Sequence, residues 1–251
     1  MANSRSGESV AERIVRVLNT FSEERTMQTP TEIGRQAGLP TSTAHRMVED
    51  LVSVGLLERD VLGRVSLGMK MWELAHRGSR ALRLREAARP YMAHAQGAIR
   101  EHTQLAVLED GEALFIERLS DPRAGLNVAR VAGRLPLHAS SSGLVLLAYA
   151  PPEVVQRVLA APLPRLTPHT IVSPERIGEL LATVRSQGYV IAPGYVSEVS
   201  TGVAVPVRHR GRVVAALSMV LPRDDPRTAR VVSLLVAAAE GIGLALAEPQ
   251  D

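Results

Sequence analysis

The sequence predicts an α+β protein with a small helical N-terminal domain and a larger domain of strands and helices. Two changes of pattern lead to this fold class. Over the first fifty or so residues, apolar positions recur every three or four residues, the spacing of helices that bury one face. After residue 101 the apolar positions alternate in runs such as TQLAVLEDGEALFIERL, which is typical of strands. A chain of 251 residues that is 45% hydrophobic can build two such domains.

Residues 1–68 have the outline of a winged helix-turn-helix. Apolar side chains on one helical face predict the first helix, and they are Val10, Ile14, Val17, Leu18 and Phe21. A short second helix is expected after Pro30, with Thr31 as its N-cap. A third helix is expected to begin at Thr41 and to stop near Gly55, and LLERDVLGRVSLG then predicts a hairpin, the wing.

Residues 69–88 predict a linker helix, and a further helix is expected at about 87–101. The remaining chain, 89–251, is expected to form the second domain. Two hairpins are indicated there by Asp110-Gly111 and Arg210-Gly211. Helices are expected at 141–149, 152–160, 174–187 and about 225–247. Mostly antiparallel strands with helices between them predict helices packed on a sheet.

Charge and composition restrict the classes of function. Residues 1–85 contain 13 Lys and Arg against 10 Asp and Glu, whereas the remainder contains 16 of each, so the whole net charge of +3 lies in the first third. Such an excess suits a polyanionic partner or simply an arginine-rich surface. The absence of cysteine excludes disulfides and thiol catalysis. With no signal peptide and no apolar run of roughly 18 residues, we expect a cytoplasmic protein without a membrane partner.

The start of the third helix carries more polar donors than one helix cap needs. Thr41, Ser42 and Thr43 precede His45 and Arg46 by about one turn. Hydroxyls, arginine and free N–H groups at a helix start bind phosphates and base edges when the second helix of a helix-turn-helix enters the major groove. We therefore expect this cluster to bind double-stranded DNA. The alternative is that Ser42 caps the helix and Arg46 forms an ion pair within the domain.

A second polar cluster, HASSSG, lies between a predicted strand and a helix. Small hydroxyls and N–H groups at a helix start can bind a carboxylate. Ser140, Ser141, Ser142 and Gly143 are therefore candidate ligand-binding residues, together with Ser218 in the apolar run AALSMVLP. The alternatives are a plain N-cap for the three serines and an outward position for Ser218.

These segments also carry a family resemblance. TEIGRQAGLPTSTAHRMVEDLVSVGLLER, GRLPLHASSSGLVLLA and GVAVPVRHRGRVVAALSMVLP resemble the isocitrate-lyase-regulator (IclR) family of bacterial transcription factors over nearly the whole chain. The resemblance implies a winged helix-turn-helix, a linker helix and a GAF-like effector domain, in homodimers or dimers of dimers that bind operator DNA and a small-molecule effector. Thr31 and Arg64 join the expected DNA contacts. Glu198, at a recurrent acidic position, and Gly202, where members often have a cysteine, join the effector site.

The sequence is compatible with three functions. The first is a ligand-responsive regulator, expected to be a repressor of a metabolic operon whose effector is a small organic acid. The second is an enzyme fused to a DNA-binding module, and the third is an architectural DNA-binding protein without an effector. Serine-hydrolase, zinc-protease and nucleotide-binding signatures are missing from the sequence, so we expect no catalytic residues, no cofactor and no metal.

Overall fold

A computed structural model describes residues 8–77, 79–125 and 127–247. The chain divides into two compact units, with the boundary between Leu82 and Arg83. The first is helical with one hairpin, and the second combines a six-stranded sheet with helices. The predicted α+β class is confirmed.

The first unit contains three helices and a hairpin around one small core, followed by a fourth helix. The elements are α1 (Val10–Leu18), α2 (Pro30–Gln36), α3 (Thr41–Ser53), β1 (Leu57–Arg59), β2 (Val65–Leu67) and α4 (Met69–His76). The predicted inward face of α3 is confirmed, since Ala44, Met47, Val48 and Leu51 are buried. Gly55 follows this helix with a φ of +78°, a conformation that glycine adopts without strain.

The cap of α2 differs from the prediction. Thr29, not Thr31, is the N-cap, and its hydroxyl accepts a hydrogen bond from the backbone N–H of Glu32. The Glu32 carboxylate accepts one from the Thr29 backbone N–H in return, which completes a capping box. Pro30 occupies the first helical position. A backbone N–H at this position has no partner within the helix, so proline, which lacks one, loses no hydrogen bond there. Thr31 is therefore left on the exposed surface.

The linker prediction was wrong in its element boundaries. The 69–88 region is not one helix, because α4 ends at His76 and α5 runs continuously from Arg80 to Ile99. Ser79 starts the new helix, since its hydroxyl accepts a hydrogen bond from the Leu82 N–H. No break occurs near residue 88, and even Pro90 lies inside α5. The sequence also predicts that Gly78 weakens the linker helix at mid-length, but this residue lies outside the described part of the chain.

The second unit is built on an antiparallel sheet in the order β5-β4-β3-β8-β7-β6. Its strands are β3 (His102–Glu109), β4 (Glu112–Leu119), β5 (Arg134–Pro136), β6 (Val190–Pro193), β7 (Ser200–His209) and β8 (Arg212–Pro222). The two predicted hairpins are confirmed: Asp110, Gly111, Arg210 and Gly211 all have positive φ at their turns.

The two faces of the sheet bury separate cores. One face packs against α5 and α9 (Thr228–Ala245), with Val203, Val205 and Leu217 pointing towards these helices. The opposite face, which carries Ala204 and Ala216, packs against α6 (Ser141–Ala148) and α8 (Pro174–Gln187). The short helix α7 (Pro152–Ala160) follows α6. The strand alternation thus places Ser218, between two α9-facing residues, on the α6 side.

Helix α9 is long and apolar enough, by length and composition alone, to cross a membrane. In the second unit it packs on the sheet instead, with Val231, Leu235 and Ile242 fully buried. This position in the core accounts for the apolar residues on the buried side of α9, whereas Val236 and Leu244 of the same helix are exposed.

Candidate DNA-binding surface and effector cavity

The hydroxyls at the start of α3 are not used to cap the helix. The N-cap residue is Pro40, and no side chain makes a capping hydrogen bond there. Thr41 and Ser42 are exposed, and Thr43 is half-buried. The three hydroxyls and the free N–H groups of the first turn therefore remain open to a partner outside the domain.

His45 and Arg46 lie on the same exposed part of the unit. The Arg46 side chain makes neither a hydrogen bond nor an ion pair in the described part of the chain, and Glu49, three residues later, pairs with Arg59 instead. The alternative of an internal ion pair therefore finds no support. The ring Nε2 of His45 lies 3.5 Å from the Thr31 hydroxyl, which brings α2 and α3 together at this surface. Thr31 is thus a neighbour of the α3 cluster although it caps no helix.

A close helix contact orients α3. A Cβ on Gly34 would lie 2.8 Å from the Ala44 Cβ, so the two helices approach more closely than a larger side chain would permit. The turn between them uses Gly38 at a φ of +61°. These small residues hold the inward face of α3 against the core and leave its polar face towards solvent.

Arg64 stands at the wing and is already paired. Its Nε donates to Asp60 Oδ2 at 2.9 Å, and Asp60 Oδ1 accepts from the backbone N–H groups of Leu62 and Arg64. Desolvation acts to raise the pKa of Asp60, but these hydrogen bonds outweigh it and lower the pKa. Asp60 therefore stays ionised and holds the turn, at whose tip Val61 and Leu62 are exposed.

A cavity lies on the α6 side of the sheet in the second unit. About 480 Å³ of space lies between the surrounding atoms, a figure that includes the opening to solvent. Apolar side chains such as Phe115, Leu135 and Val220 line it, and the first turn of α6 forms one polar wall. Among the described residues that line it, none is charged.

The three serines of HASSSG have different positions at this wall. Ser140 is the N-cap of α6, and its hydroxyl accepts from the Gly143 N–H at 3.0 Å, so the predicted capping alternative applies to this residue. Ser141 and Ser142 line the cavity without capping the helix. Ser142 Oγ donates to Ser218 Oγ at 2.8 Å. Ser218 is fully buried and lies behind the wall instead of lining it.

Two glycines shape the same wall by close contact. A Cβ on Gly143 would lie 2.5 Å from the Leu137 carbonyl oxygen, so this position admits only glycine without a shift. Gly202 on β7 lines the cavity, and a Cβ there would lie 2.5 Å from Ser141 Oγ. Gly143 itself does not line the cavity.

Glu198 is not brought into the cavity. Its side chain is exposed, and the contact seen for this residue is through its backbone carbonyl, which accepts from Arg223 at 3.1 Å. The neighbouring Ser197 and Ser200 line the cavity in its place, together with Tyr195. Burial raises the pKa of the Tyr195 hydroxyl, against an opposing effect of Arg176, so this hydroxyl stays protonated.

His138 precedes the serines but does not act with them. It is buried, and its Nε2 lies 2.9 Å from the Pro164 carbonyl oxygen, to which it donates. Desolvation lowers the pKa of His138, although this hydrogen bond opposes the shift. A neutral imidazole bonded to the backbone is a structural element of the loop.

Two carboxamide side chains that line the cavity were not among the sequence candidates. Gln104 on β3 and Asn127 in the loop after β4 both face the cavity, and each has a buried amide nitrogen without a partner in the described structure. A polar residue on the inward side of an alternating strand was the available signal for Gln104. Within residues 8–77, 79–125 and 127–247, no cluster of His, Asp and Glu suited to a metal ion occurs.

Comparison with known proteins identifies the architecture. Residues 10–61 match the IclR helix-turn-helix domain, and residues 78–243 match the bacterial transcriptional regulator IclR C-terminal domain. The chain belongs to the IclR family. The predicted family assignment is confirmed.

Individual IclR relatives agree with the domain match. The chain is 31% identical over 211 residues to the HTH-type transcriptional regulator XynR of Escherichia coli, covering 83% of this chain and 84% of XynR. It is 29% identical over 181 residues to the transcriptional repressor IclR of Escherichia coli, covering 70% of this chain and 66% of that protein.

A solved IclR homologue shares most of the fold. The crystal structure of an IclR homologue from Microbacterium hydrocarbonoxydans, complexed with 4-hydroxybenzoate, has a TM-score of 0.91 and 56% sequence identity. The match covers 95% of this chain and 99% of that one. The protein is accordingly a transcriptional regulator with a DNA-binding helix-turn-helix domain and not an enzyme.

Proposed function

We propose that the protein is a cytoplasmic, homodimeric repressor that binds operator DNA through α3 and responds to a small organic acid. Residues 1–68 would bind DNA, 69–88 would link, and 89–251 would bind the effector. The observation that carries the DNA part is the exposed cluster of hydroxyls, His45 and Arg46, none of which the domain uses to cap α3. The family membership supports the repressor role, since relatives include a transcriptional repressor.

The effector class is supported by the cavity. The cavity supplies hydrogen-bond donors from hydroxyls, amide groups and the N-terminus of α6, and its remaining wall is apolar. This combination suits a ligand with a small ring or chain and one acidic end. The homologue that carries 4-hydroxybenzoate favours a monoaromatic acid. With neutral donors only, each worth about 1 kcal/mol, we expect micromolar to millimolar affinity.

The test uses an operator selected from random DNA with the full-length protein. Arg46→Ala is expected to weaken operator binding and to lower the salt slope by about one, since one phosphate contact is lost. The matched control is Arg157→Ala on α7, which removes the same charge from an exposed position of the second unit. Equal affinity and salt slope in a folded Arg46→Ala protein would contradict the assignment of α3.

The effector response is measured on the same operator complex. Addition of 4-hydroxybenzoate is expected to change operator affinity and to raise the melting temperature, whereas bulky neutral hydrophobes are not. A reporter gene behind the operator should be silenced by the protein and released by the effector. A melting shift with neutral hydrophobes alone would exclude an acid as effector, and a reporter activated by the protein would exclude repression.

A further inference from the structure

Two carboxamides face the effector cavity with unpaired donors. Gln104 is only 3% exposed, yet its Nε2 has no hydrogen-bond partner in the described structure. Asn127 Nδ2 is buried and unpaired in the same way. Both residues line the cavity. Buried polar atoms without partners are rare in folded proteins, and each calls for an explanation such as a functional role or a bound water, ion or ligand.

The hydrogen bonds around Gln104 determine which amide atom remains free. Ser142 donates to Ser218 at 2.8 Å, and Ser218 in turn donates to Gln104 Oε1 at 3.5 Å. The oxygen of the Gln104 amide is thereby engaged behind the wall, and the NH₂ group is left for the cavity. Ser218 thus orients a cavity residue without touching the cavity itself.

Asn127 shows the same division of roles. Its Oδ1 accepts from the Ala129 backbone N–H at 3.0 Å, which leaves Nδ2 as a donor. The loop that carries it is fixed at two points: His102 Nε2 donates to the Gly125 carbonyl at 2.6 Å, and Arg118 donates to the Ala129 carbonyl at 2.8 Å. Because His102 and Gln104 are two residues apart on β3, they share the face that borders this loop.

We propose that Gln104 and Asn127 bind the carboxylate of the effector through their NH₂ groups and thereby select an acid over its neutral amide. This proposal rests on the proposed effector class, and it names the residues that recognise the carboxylate of the effector. A carboxylate only accepts hydrogen bonds, so it suits a wall of donors. Because no charged residue is found among the described cavity residues, the selection must come from these amides, the serine hydroxyls and the α6 N-terminus.

The experiment compares 4-hydroxybenzoate with 4-hydroxybenzamide by calorimetric titration of the full-length protein at pH 8. The wild type is expected to prefer the acid. Gln104→Glu replaces the donor with an acceptor of nearly the same shape, and its affinity for 4-hydroxybenzoate should fall by at least about tenfold. Its affinity for 4-hydroxybenzamide should fall less, because the amide can donate to the introduced carboxylate. The preference for the acid over the amide should therefore narrow or reverse.

A matched control and a second variant separate binding from folding. Gln156→Glu makes the same change at an exposed position on α7 and should bind like the wild type. Gln104→Met removes the donor without adding charge, and it should also lose affinity for the acid while melting cooperatively. In Gln104→Glu, lowering the pH from 8 to 6 should restore part of the acid binding, because a protonated carboxyl regains a donor.

Three results would overturn the proposal in different ways. A wild type that binds the amide as tightly as the acid excludes selection of a carboxylate. Folded Gln104→Glu and Gln104→Met proteins with unchanged affinity and preference exclude Gln104, while the proposed function stands. A wild type that binds its operator but neither compound nor any related acid refutes the proposed effector class, and this inference with it.

Discussion

Gly202 and Ser141 meet at the cavity wall, and this contact gives a prediction at the scale of single residues. In Gly202→Ala the new Cβ would lie 2.5 Å from Ser141 Oγ and 3.0 Å from Ser141 Cβ. The hydroxyl can turn away but the Cβ cannot, so the strand or α6 must shift. We expect the free energy of unfolding to fall by about 1–3 kcal/mol. Chemical denaturation measures the change.

The control for Gly202→Ala is the same substitution at Gly178. A Cβ on Gly178, inside α8, would meet nothing within 4 Å. Alanine there should stabilise the protein by up to about 1 kcal/mol, because glycine is a poor helix former. If Gly202→Ala proved as harmless as Gly178→Ala, the close contact between β7 and α6 would be wrong. Effector binding should change only in Gly202→Ala.

The serine cluster illustrates how far residue-level reasoning from sequence extends. Motif and helix position were enough to single out Ser140–Ser142, and Ser140 does cap α6. They could not separate the cavity-lining Ser141 and Ser142 from the buried Ser218, because that distinction depends on how α6 lies across the sheet. Gln104 was missed for a similar reason. Its significance comes from an unpaired nitrogen, which only side-chain geometry reveals.

At the scale of elements, turns and period-two runs were the most reliable signals. The hairpin turns at Asp110-Gly111 and Arg210-Gly211 were predicted from sequence, since local chemistry determines a two-residue turn. Helix α8, Pro174–Gln187, has the predicted bounds because Ser173 caps it and Gly188 ends it. The prediction of a single helix over 69–88 was wrong, because the spacing of apolar residues does not show a short break between two helices. The division into 1–68, 69–88 and 89–251 stays a prediction.

The caps of α2 allow a test of two nearby threonines. Thr29→Ala removes the capping box with Glu32, so we expect the first unit to lose about 1 kcal/mol of stability. Thr31→Ala removes an exposed hydroxyl whose hydrogen-bonding neighbour among the described residues is His45, so stability should hardly change, while operator affinity should fall modestly. Thermal melting and operator titration are measured on both variants. Loss of stability in Thr31→Ala instead would contradict the cap assignment.

At the scale of the whole molecule, we expect operator recognition to use a dimer. A single recognition helix reads only a few base pairs, whereas a two-fold dimer reads two half-sites about 34 Å apart. Helix α4 supports a dimer, because it has no buried residue although it carries Met69, Trp72 and Leu74. Val10 and Val15 of α1 are likewise exposed. A short helix that buries nothing in its own chain is marginally stable without a partner.

Trp72 reports directly on this contact, since it is the only tryptophan in the chain. In the single chain it is 56% exposed and stacks on His76 at a centroid distance of 3.9 Å. If α4 packs in a dimer, emission at micromolar concentration should be blue-shifted and poorly quenched by acrylamide. Met69→Asp, one turn before Trp72 on the same face of α4, should shift the emission to the red, reduce the mass in light scattering to that of a monomer and abolish cooperative protection of two half-sites.

The control for Met69→Asp is Leu166→Asp, which places the same charge at an exposed apolar residue of the second unit. This variant should keep the mass, the emission and the two-site protection of the wild type. Because Met69 and Trp72 lie three residues apart on one face of α4, a dimer that packs on this face must cover Trp72. A wild type with a freely quenched Trp72 and a monomeric mass at micromolar concentration would therefore refute the dimer contact. A dimeric mass with a freely quenched indole would move the contact away from the face of α4 that carries Trp72.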